Sequence, residues 1–174
     1  MESWIAGAFR WLLYVLMGFF LEVVGAVDGI ERLLGCRIHR RVPRRYLEGF
    51  VSLYMAPLHG FGMLLAFEPV HDAIRGWWWG ARFAAWAVLF AMSEAAWGLL
   101  LDRTLGFYPW DYYAQSRFRV FRRGYTLWTL LPVWGLVGLS LEVYSDLLRH
   151  LSPIAAAWLG SRCGGLPHGL GGQP

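Results

Sequence analysis

The sequence predicts an all-α, polytopic membrane helix bundle with about four transmembrane helices. Of its 174 residues, 57% are hydrophobic and only 16% are charged, whereas a typical soluble domain is about 45–50% apolar and about 25% charged. Four stretches are also long and apolar enough to cross a bilayer, which takes about 20 residues. They lie at 11–30, 49–67, 83–101 and 124–146. A soluble helical core is the alternative, but it needs polar helix faces that these stretches lack.

The first stretch, 11–30, contains Glu22 and Asp28. Arg10 precedes its apolar run, as in a cleaved signal peptide, but the run continues past Glu22 and is longer than a typical signal sequence. We therefore interpret it as a membrane anchor.

The second stretch, 49–67, carries Pro57, Gly60 and Gly62 around His59. Proline removes a helix hydrogen bond and glycine weakens the turn that follows, so a kinked or broken helix is expected. Either neighbouring groups satisfy the kink, or the break exposes backbone groups to a substrate or ion.

The third stretch is interrupted only by Glu94, and the fourth has 18 uncharged residues before Glu142. The bundle is predicted to occupy residues 1–148. Residues 149–174 are predicted to form a short interfacial segment at 154–160 and a disordered tail rich in glycine and proline.

The distribution of arginine predicts the orientation, because cytoplasmic loops carry an excess of positive charge. All 16 basic residues are arginine, and 11 of them lie in the loops at 31–48 and 102–123. Both loops are therefore predicted to be cytoplasmic and both termini outside, in a bacterial inner membrane. Alternatively, two clusters bind anionic lipid headgroups: Arg40, Arg41, Arg44 and Arg45, and Arg119, Arg122 and Arg123.

Three ionisable residues, Glu22, His59 and Glu94, are predicted to lie near the middle of the first three helices. An acidic group at that depth costs about 2.5–3.5 kcal/mol on insertion scales, so we expect the three to face the bundle interior and to share hydrogen bonds. Small residues accompany the acids at helical spacing, which favours close helix packing. These stripes are Gly18, Glu22, Gly25 and Gly29, then Glu94, Trp97, Gly98 and Asp102, and finally Gly135, Gly138, Glu142 and Ser145. The polar centre is either a packing device or a proton or solute site.

The 102–123 loop contains the motif YPWDYY at 108–113. Trp110, Tyr112 and Tyr113 are predicted to anchor the loop at the membrane interface, with Pro109 setting a turn. Asp111 is predicted to cap a short helix or to pair with an arginine.

Several function classes are excluded by missing motifs. A P-loop needs lysine, which the chain lacks, and there is no HExxH, GxSxG or CxxC pattern. We therefore predict no catalytic residues, no metal, no cofactor and no nucleic-acid partner.

Four segments together resemble the CmpB-like membrane family, which is described as ABC-transporter type IV and is related to the transmembrane protein 229 group. The segments are YVLMGFFLEVV (14–24), RRYLEGFVSLYMAPLHGFG (44–62), SEAAWGLLLDRTLGFYPWDYY (93–113) and VFRRGYTLWTLLPVWGLVGL (120–139). The resemblance covers about residues 10–145. The positions that match the family motifs are Gly18, Glu22, Gly60, Gly62, Glu94, Trp110, Asp111, Tyr112, Gly124, Trp134 and Gly135. Tyr113 replaces a usual serine and His59 replaces a usual tyrosine.

Three functions are compatible with these residues. The first is a transport-related, permease-like component whose Glu22, His59 and Glu94 bind a proton or small solute; with four helices it would need an oligomer or a partner subunit. The alternative is a non-catalytic structural or accessory subunit of a larger membrane complex. A lipid-modifying enzyme is the third, supported only by isolated acid–base residues. An ABC-type role would require a separate ATPase.

Overall fold

The computed structural model describes residues 2–25, 29–38 and 51–163, which form an all-α bundle as predicted. A π-helix, Leu58–Phe67, leads directly into α3, and two short strands pair antiparallel in a hairpin. The elements are α1 (Glu2–Val24), α2 (Ile30–Leu34), α3 (Glu68–Ile74), α4 (Trp79–Leu105), β1 (Arg119–Val120), β2 (Thr126–Leu127) and α5 (Leu131–Cys163).

Within the described residues, three helices rather than four are long and apolar enough to cross a membrane, and they span Trp4–Val24, Trp79–Leu105 and Trp128–Arg162. The predicted second span is divided into a 3₁₀ turn at Leu53–Met55 and the π-helix, which α3 extends. The irregularity expected at Pro57 is thus a stretch of wider helix, in which each N–H bonds five residues back.

Two helix boundaries also differ from the sequence prediction. α1 ends at Val24, and Asp28 lies outside the described residues. α5 continues to Cys163, so the segment 154–160 and the first residues of the predicted disordered tail are helical. Residues 164–174 lie outside the described part of the chain.

Contacts between side chains show that four segments run side by side in alternating directions. Glu22 meets His59 at one level of the bundle, and Arg10 meets Glu68 at another. In the same way Glu94 meets Trp134 at the first level, and Arg82 meets Glu142 at the second. The π-helix with α3 therefore takes the place of the fourth helix of the bundle.

The outward faces of the long helices are apolar. Phe20, Leu136 and Val143 are 61%, 62% and 73% exposed, and many other large apolar side chains are exposed in the same way. A water-soluble protein rarely presents continuous apolar surface of this kind. Exposed tryptophans, Trp77–Trp79, lie where α3 connects to α4, a position typical of a membrane interface. The surface thus favours a membrane protein over a soluble helical core.

Small residues bring α4 and α5 together, as predicted for one of the stripes. A methyl group added to Gly138 would overlap Cβ of Trp86, and one at Gly135 would overlap the Phe83 ring. The predicted close approach at Gly25 and Gly29 is wrong for the described part of the chain, because none of its atoms lies within 4 Å of a methyl group added at either position.

The segment between α4 and α5 is a packed cap rather than an open loop. Trp110 and Tyr113 are only 6% and 5% exposed and belong to an apolar cluster with α2 and the end of α4. The prediction that they anchor the loop at an interface is therefore wrong. The Ser116 hydroxyl ties the cap to α2 by donating a hydrogen bond to the Leu34 carbonyl at 2.7 Å.

Gly124, a motif residue, is required by the turn of this cap. Its φ of +72° lies in the left-handed region that favours glycine. An added methyl group would also lie 2.7 Å from the Tyr113 carbonyl carbon, which cannot rotate away.

We expect Gly138→Ala to lower the free energy of unfolding by about 1–3 kcal/mol, the usual cost of overpacking. The clash is with Cβ of Trp86, so the helices must move apart. Unfolding by SDS titration in detergent micelles measures the change. Gly160→Ala, on the same helix with open space around it, is the control; an equal loss in both variants would contradict the close contact.

Candidate functional site

A histidine–carboxylate pair joins α1 to the π-helix. Nε2 of His59 lies 2.7 Å from Oε1 of Glu22, and both side chains are mostly buried. The His59 ring lies directly over Gly18, where an added methyl group would overlap it. Gly18 and Glu22 are one helical turn apart, so the glycine makes room for the ring that the glutamate binds. The predicted shared hydrogen bonding is confirmed for this pair.

The position of the pair along α1 differs from the prediction. Glu22 lies two residues before the end of the helix at Val24 rather than near its middle. The apolar stretch was expected to continue past Glu22, but the helix starts and ends earlier, which moves the carboxylate towards one end.

Glu94 is buried in α4 and accepts hydrogen bonds from three neutral donors. The Thr126 hydroxyl donates to Oε2 at 2.5 Å, the Trp134 indole to the same oxygen at 3.3 Å, and the Tyr113 hydroxyl to Oε1 at 3.3 Å. Tyr113 and Thr126 come from the cap, so sequence spacing within the helices did not indicate them.

A cavity of about 780 Å³ brings the three predicted residues together. Glu22, His59 and Glu94 all line it, along with the π-helix, α4, α5 and the cap. We call these three residues the Glu–His layer. Among the described residues no hydrogen bond joins Glu94 to Glu22 or His59, so the prediction that all three share hydrogen bonds is wrong for Glu94.

Tyr112 of the cap also lines the cavity, and the pKa of its hydroxyl is affected by both Glu94 and Glu22. Burial raises the pKa of its hydroxyl above the usual value, and the negative charges of Glu94 and Glu22 raise it further. The pKa of Tyr113 is raised by the same causes, burial first and then Glu94. Glu22 and Glu94 are thus both close enough to raise the pKa values of the same two tyrosines of the cap.

The far end of the cavity is closed by buried side chains. Tyr14, Phe67 and Trp86 line it there and are 2%, 4% and 2% exposed. The Tyr14 hydroxyl donates to Glu68 at 2.9 Å, and the Trp86 indole donates to Glu142 at 2.7 Å. These rings separate the cavity from a second polar region.

That second region is a set of ion pairs that we call the charge cluster. It comprises Arg10, Glu68, His71, Asp72, Arg75, Arg82, Glu142, Asp146 and Arg149. Glu68 contacts Arg10 at 3.1 Å and Arg149 at 3.5 Å, and so joins α3 to α1 and α5. Arg82 bonds Glu142 at 2.5 Å and joins α4 to α5. Four arginines balance four carboxylates, so the cluster is close to neutral.

Within the charge cluster, the pKa of the Asp72 carboxyl lies below its usual value because Arg149 donates a hydrogen bond to it at 2.6 Å. His71 is 2% exposed, with Nε2 3.2 Å from Asp146 and Nδ1 3.8 Å from Glu142.

Sequence reasoning missed this cluster as a whole. The signal was present, because Glu68, His71, Asp72 and Arg75 recur at spacings of three, one and three residues, which places them on one side of a helix.

The two polar levels are well separated along the bundle. Twelve residues lie from Arg10 to Glu22 and from Arg82 to Glu94, which corresponds to roughly 18 Å at a rise of about 1.5 Å per residue. The cavity occupies the interval between them.

The remaining motif residues have structural positions. Gly60 lies against the Trp11 indole, and Gly62 lines the cavity beside Leu58. The Trp110 indole donates to the Tyr125 carbonyl at 2.9 Å. Asp111 is exposed and begins a short 3₁₀ helix, without a side-chain capping hydrogen bond.

The arginines proposed to bind lipid headgroups differ in whether they contact other groups of the protein. Arg119 donates to the Ala114 carbonyl at 2.9 Å and Arg123 to Asp102, so both are engaged within the cap. Arg122 is exposed. Arg40, Arg41, Arg44 and Arg45 lie outside the described residues.

Comparisons of the chain with known protein families, with curated proteins and with solved structures find no match. The resemblance to the CmpB-like family therefore stays a prediction from the motifs. Among the described residues, no group of three His, Cys, Asp or Glu side chains is placed to hold a metal ion.

A double-mutant cycle tests the pair at the centre of this site. We expect Glu22→Gln and His59→Gln to be coupled by about 0.5–3 kcal/mol in unfolding free energy, as for residues in direct contact. SDS titration of the two single variants and the double variant measures it. The matched control is a second cycle that combines Glu22→Gln with His150→Gln, at an exposed histidine of α5. We expect the effects of these two substitutions to be additive. Additivity in both cycles would contradict the contact.

Proposed function

We propose that this chain is a permease-like component of a membrane transport system, which binds a solute in the cavity beside the Glu–His layer. The observation that carries the proposal is that Glu22, His59 and Glu94 line open space of about 780 Å³. If these residues served only to fix the helix register, we would expect side chains to pack closely around them and to leave no cavity, since protein interiors are close-packed.

The cavity differs at its two ends in the way a carrier requires. At the charge cluster its lining residues Tyr14, Phe67 and Trp86 are buried. At the cap, its lining residues Val24, Val51 and Phe107 are 49%, 42% and 45% exposed. Between the two ends, the lining residues Leu21 and Leu89 are also 36% and 38% exposed, on faces that the bilayer would cover. Water therefore enters from the end that carries the arginine-rich loops, and ion pairs close the opposite end.

The Glu22–His59 pair is suited to proton exchange with the solute. A carboxylate and an imidazole at 2.7 Å can hold one proton between them. Glu94 from α4 and Tyr112 and Tyr113 from the cap line the same cavity.

The proposal includes an orientation. The excess of arginine supports an orientation with the 31–48 and 102–123 segments in the cytoplasm of a bacterial cell and both termini outside. The cavity then opens towards the cytoplasm. A homo-oligomer or a partner subunit would complete the pathway, and the surrounding bilayer covers the apolar faces.

Cysteine labelling tests the one-sided access. In a chain with Cys36→Ala and Cys163→Ala, we expect Ser93→Cys in the cavity to react with a membrane-impermeant maleimide from the cap side only. Reaction needs a thiolate in water, so the adjacent Met92→Cys, which is 64% exposed on the outer face, should be unreactive. Gly76→Cys between α3 and α4 marks the opposite side. Labelling of Ser93→Cys from the Gly76 side, or from neither side, would contradict the proposal.

A carrier must also open its closed end. Arg149→Gln removes the contacts that Arg149 makes with Glu68 and Asp72, and we expect it to allow labelling of Ser93→Cys from the Gly76 side, from which the chain with Arg149 intact is not labelled. No labelling from the Gly76 side, with labelling from the cap side retained, would contradict a gate at the charge cluster.

A further inference from the structure

The ionisable side chains that line the cavity are mostly acidic, and among the described residues their one basic neighbour is His59, which contacts Glu22. Apart from tyrosines, the ionisable groups among the described lining residues are Glu22, Glu94 and His59, and none is an arginine. Four arginines lie in the charge cluster, where each contacts a carboxylate. At a separation of roughly 18 Å they contribute little to the potential at the Glu–His layer.

Of the two acids, Glu94 is the one without a cationic partner among the described residues. Its three hydrogen-bond donors, Thr126, Trp134 and Tyr113, are all neutral, and it forms no ion pair with any described residue. The Glu94 carboxylate is thus held in position by hydrogen bonds, and no described residue supplies a cation next to it.

Aromatic rings make up a large part of the remaining wall. Three indoles line the cavity, those of Trp86, Trp110 and Trp134, together with the rings of Phe67, Phe90, Phe107, Tyr112 and Tyr113. Indole faces attract cations most strongly among the aromatic side chains, and more so where water is excluded. Phe90 lies between Trp86 and Trp134, tilted against the first at a centroid distance of 5.8 Å and stacked on the second at 5.9 Å, so these rings are contiguous.

The volume and the apolar surroundings limit the class of ligand. A cavity of about 780 Å³ is within the usual range for small-molecule sites, about 300–1,000 Å³. Small inorganic cations leave water reluctantly and need several oxygen ligands, and no metal-binding group of three side chains is present among the described residues.

We propose that the cavity binds a lipophilic organic cation, with its charge between the Glu–His layer and the indole faces and its apolar groups against the lining. This assignment rests on the proposed function and specifies its substrate class. An organic anion of equal size would meet the same apolar wall but would face two acidic side chains with no arginine to offset them.

Two ions of nearly identical shape and opposite charge test the assignment. Tetraphenylphosphonium and tetraphenylborate are titrated separately against the purified full chain in detergent micelles, with quenching of tryptophan fluorescence as the readout. We expect the phosphonium to bind at least about tenfold more tightly than the borate, since indole faces and carboxylates attract the cation and repel the anion.

Substitutions inside and outside the cavity test whether the phosphonium binds there. We expect Glu22→Gln and Glu94→Gln together to weaken phosphonium binding about tenfold or more, while Asp111→Asn, an exposed acid of the cap, leaves it unchanged. Val137→Trp fills the cavity and should abolish binding, whereas Leu136→Trp, on the outer face, should not. Melting curves confirm that each variant is folded. If the double variant unfolds, the Val137 and Leu136 pair alone decides the location.

A neutral apolar probe, N-phenyl-1-naphthylamine, separates failure of this inference from failure of the proposed function. If the neutral probe binds and Val137→Trp displaces it, but the two ions bind equally or the borate binds more tightly, the cation assignment is overturned and a binding cavity remains. If neither ion nor the neutral probe binds, both are overturned. Phosphonium binding that persists in Val137→Trp also overturns the assignment.

Discussion

Burial of charged side chains is the constraint on which this bundle depends. An acidic group without a partner is costly in an apolar environment, and each acid that faces the interior has one. Glu22 contacts His59, Glu94 accepts from three neutral donors, and Glu142 contacts Arg82 and Trp86. Each of these contacts joins different segments of the chain. The same contacts therefore fix which segments are neighbours and in which direction they run.

Two polar levels with an apolar interval between them follow from this arrangement. The charge cluster balances arginines against carboxylates and closes one end of the bundle, where α3 contacts α1 and α5. The Glu–His layer has fewer groups and an excess of acid, and it borders the cavity. The two levels are roughly 18 Å apart, so both cannot lie at the midplane of one bilayer. Any pathway through the bundle must pass the rings of Tyr14 and Trp86, which separate the levels.

The sequence predicted the class of fold and the existence of a polar centre, because both depend on composition and on the cost of isolated charges in apolar helices. It grouped Glu22, His59 and Glu94 in one centre, of which Glu22 and His59 are hydrogen-bonded to each other, and it included Gly18 and Gly138 in stripes of small residues that make close contacts. It did not predict the π-helix, since hydropathy does not distinguish it from an α-helix. It also misplaced Trp110 and Tyr113, because an aromatic motif beside arginines is typical of a membrane interface, whereas here tertiary packing buries it. For the charge cluster, local spacing places Glu68, His71, Asp72 and Arg75 on one side of a helix, but it does not reveal their partners on α1 and α5, which are far away in the chain.

The most direct test of the account is the distance between Glu22 and His59 in a lipid bilayer. Dipolar recoupling by solid-state NMR, with ¹³C in the glutamate carboxyl groups and ¹⁵N in the histidine rings, measures it in the full chain. Because Nε2 lies 2.7 Å from Oε1, the account predicts a strong coupling that disappears in His59→Gln and persists in His71→Gln. If no coupling depends on His59, the Glu–His layer does not exist in the membrane, and the cavity loses the residues on which its proposed role depends.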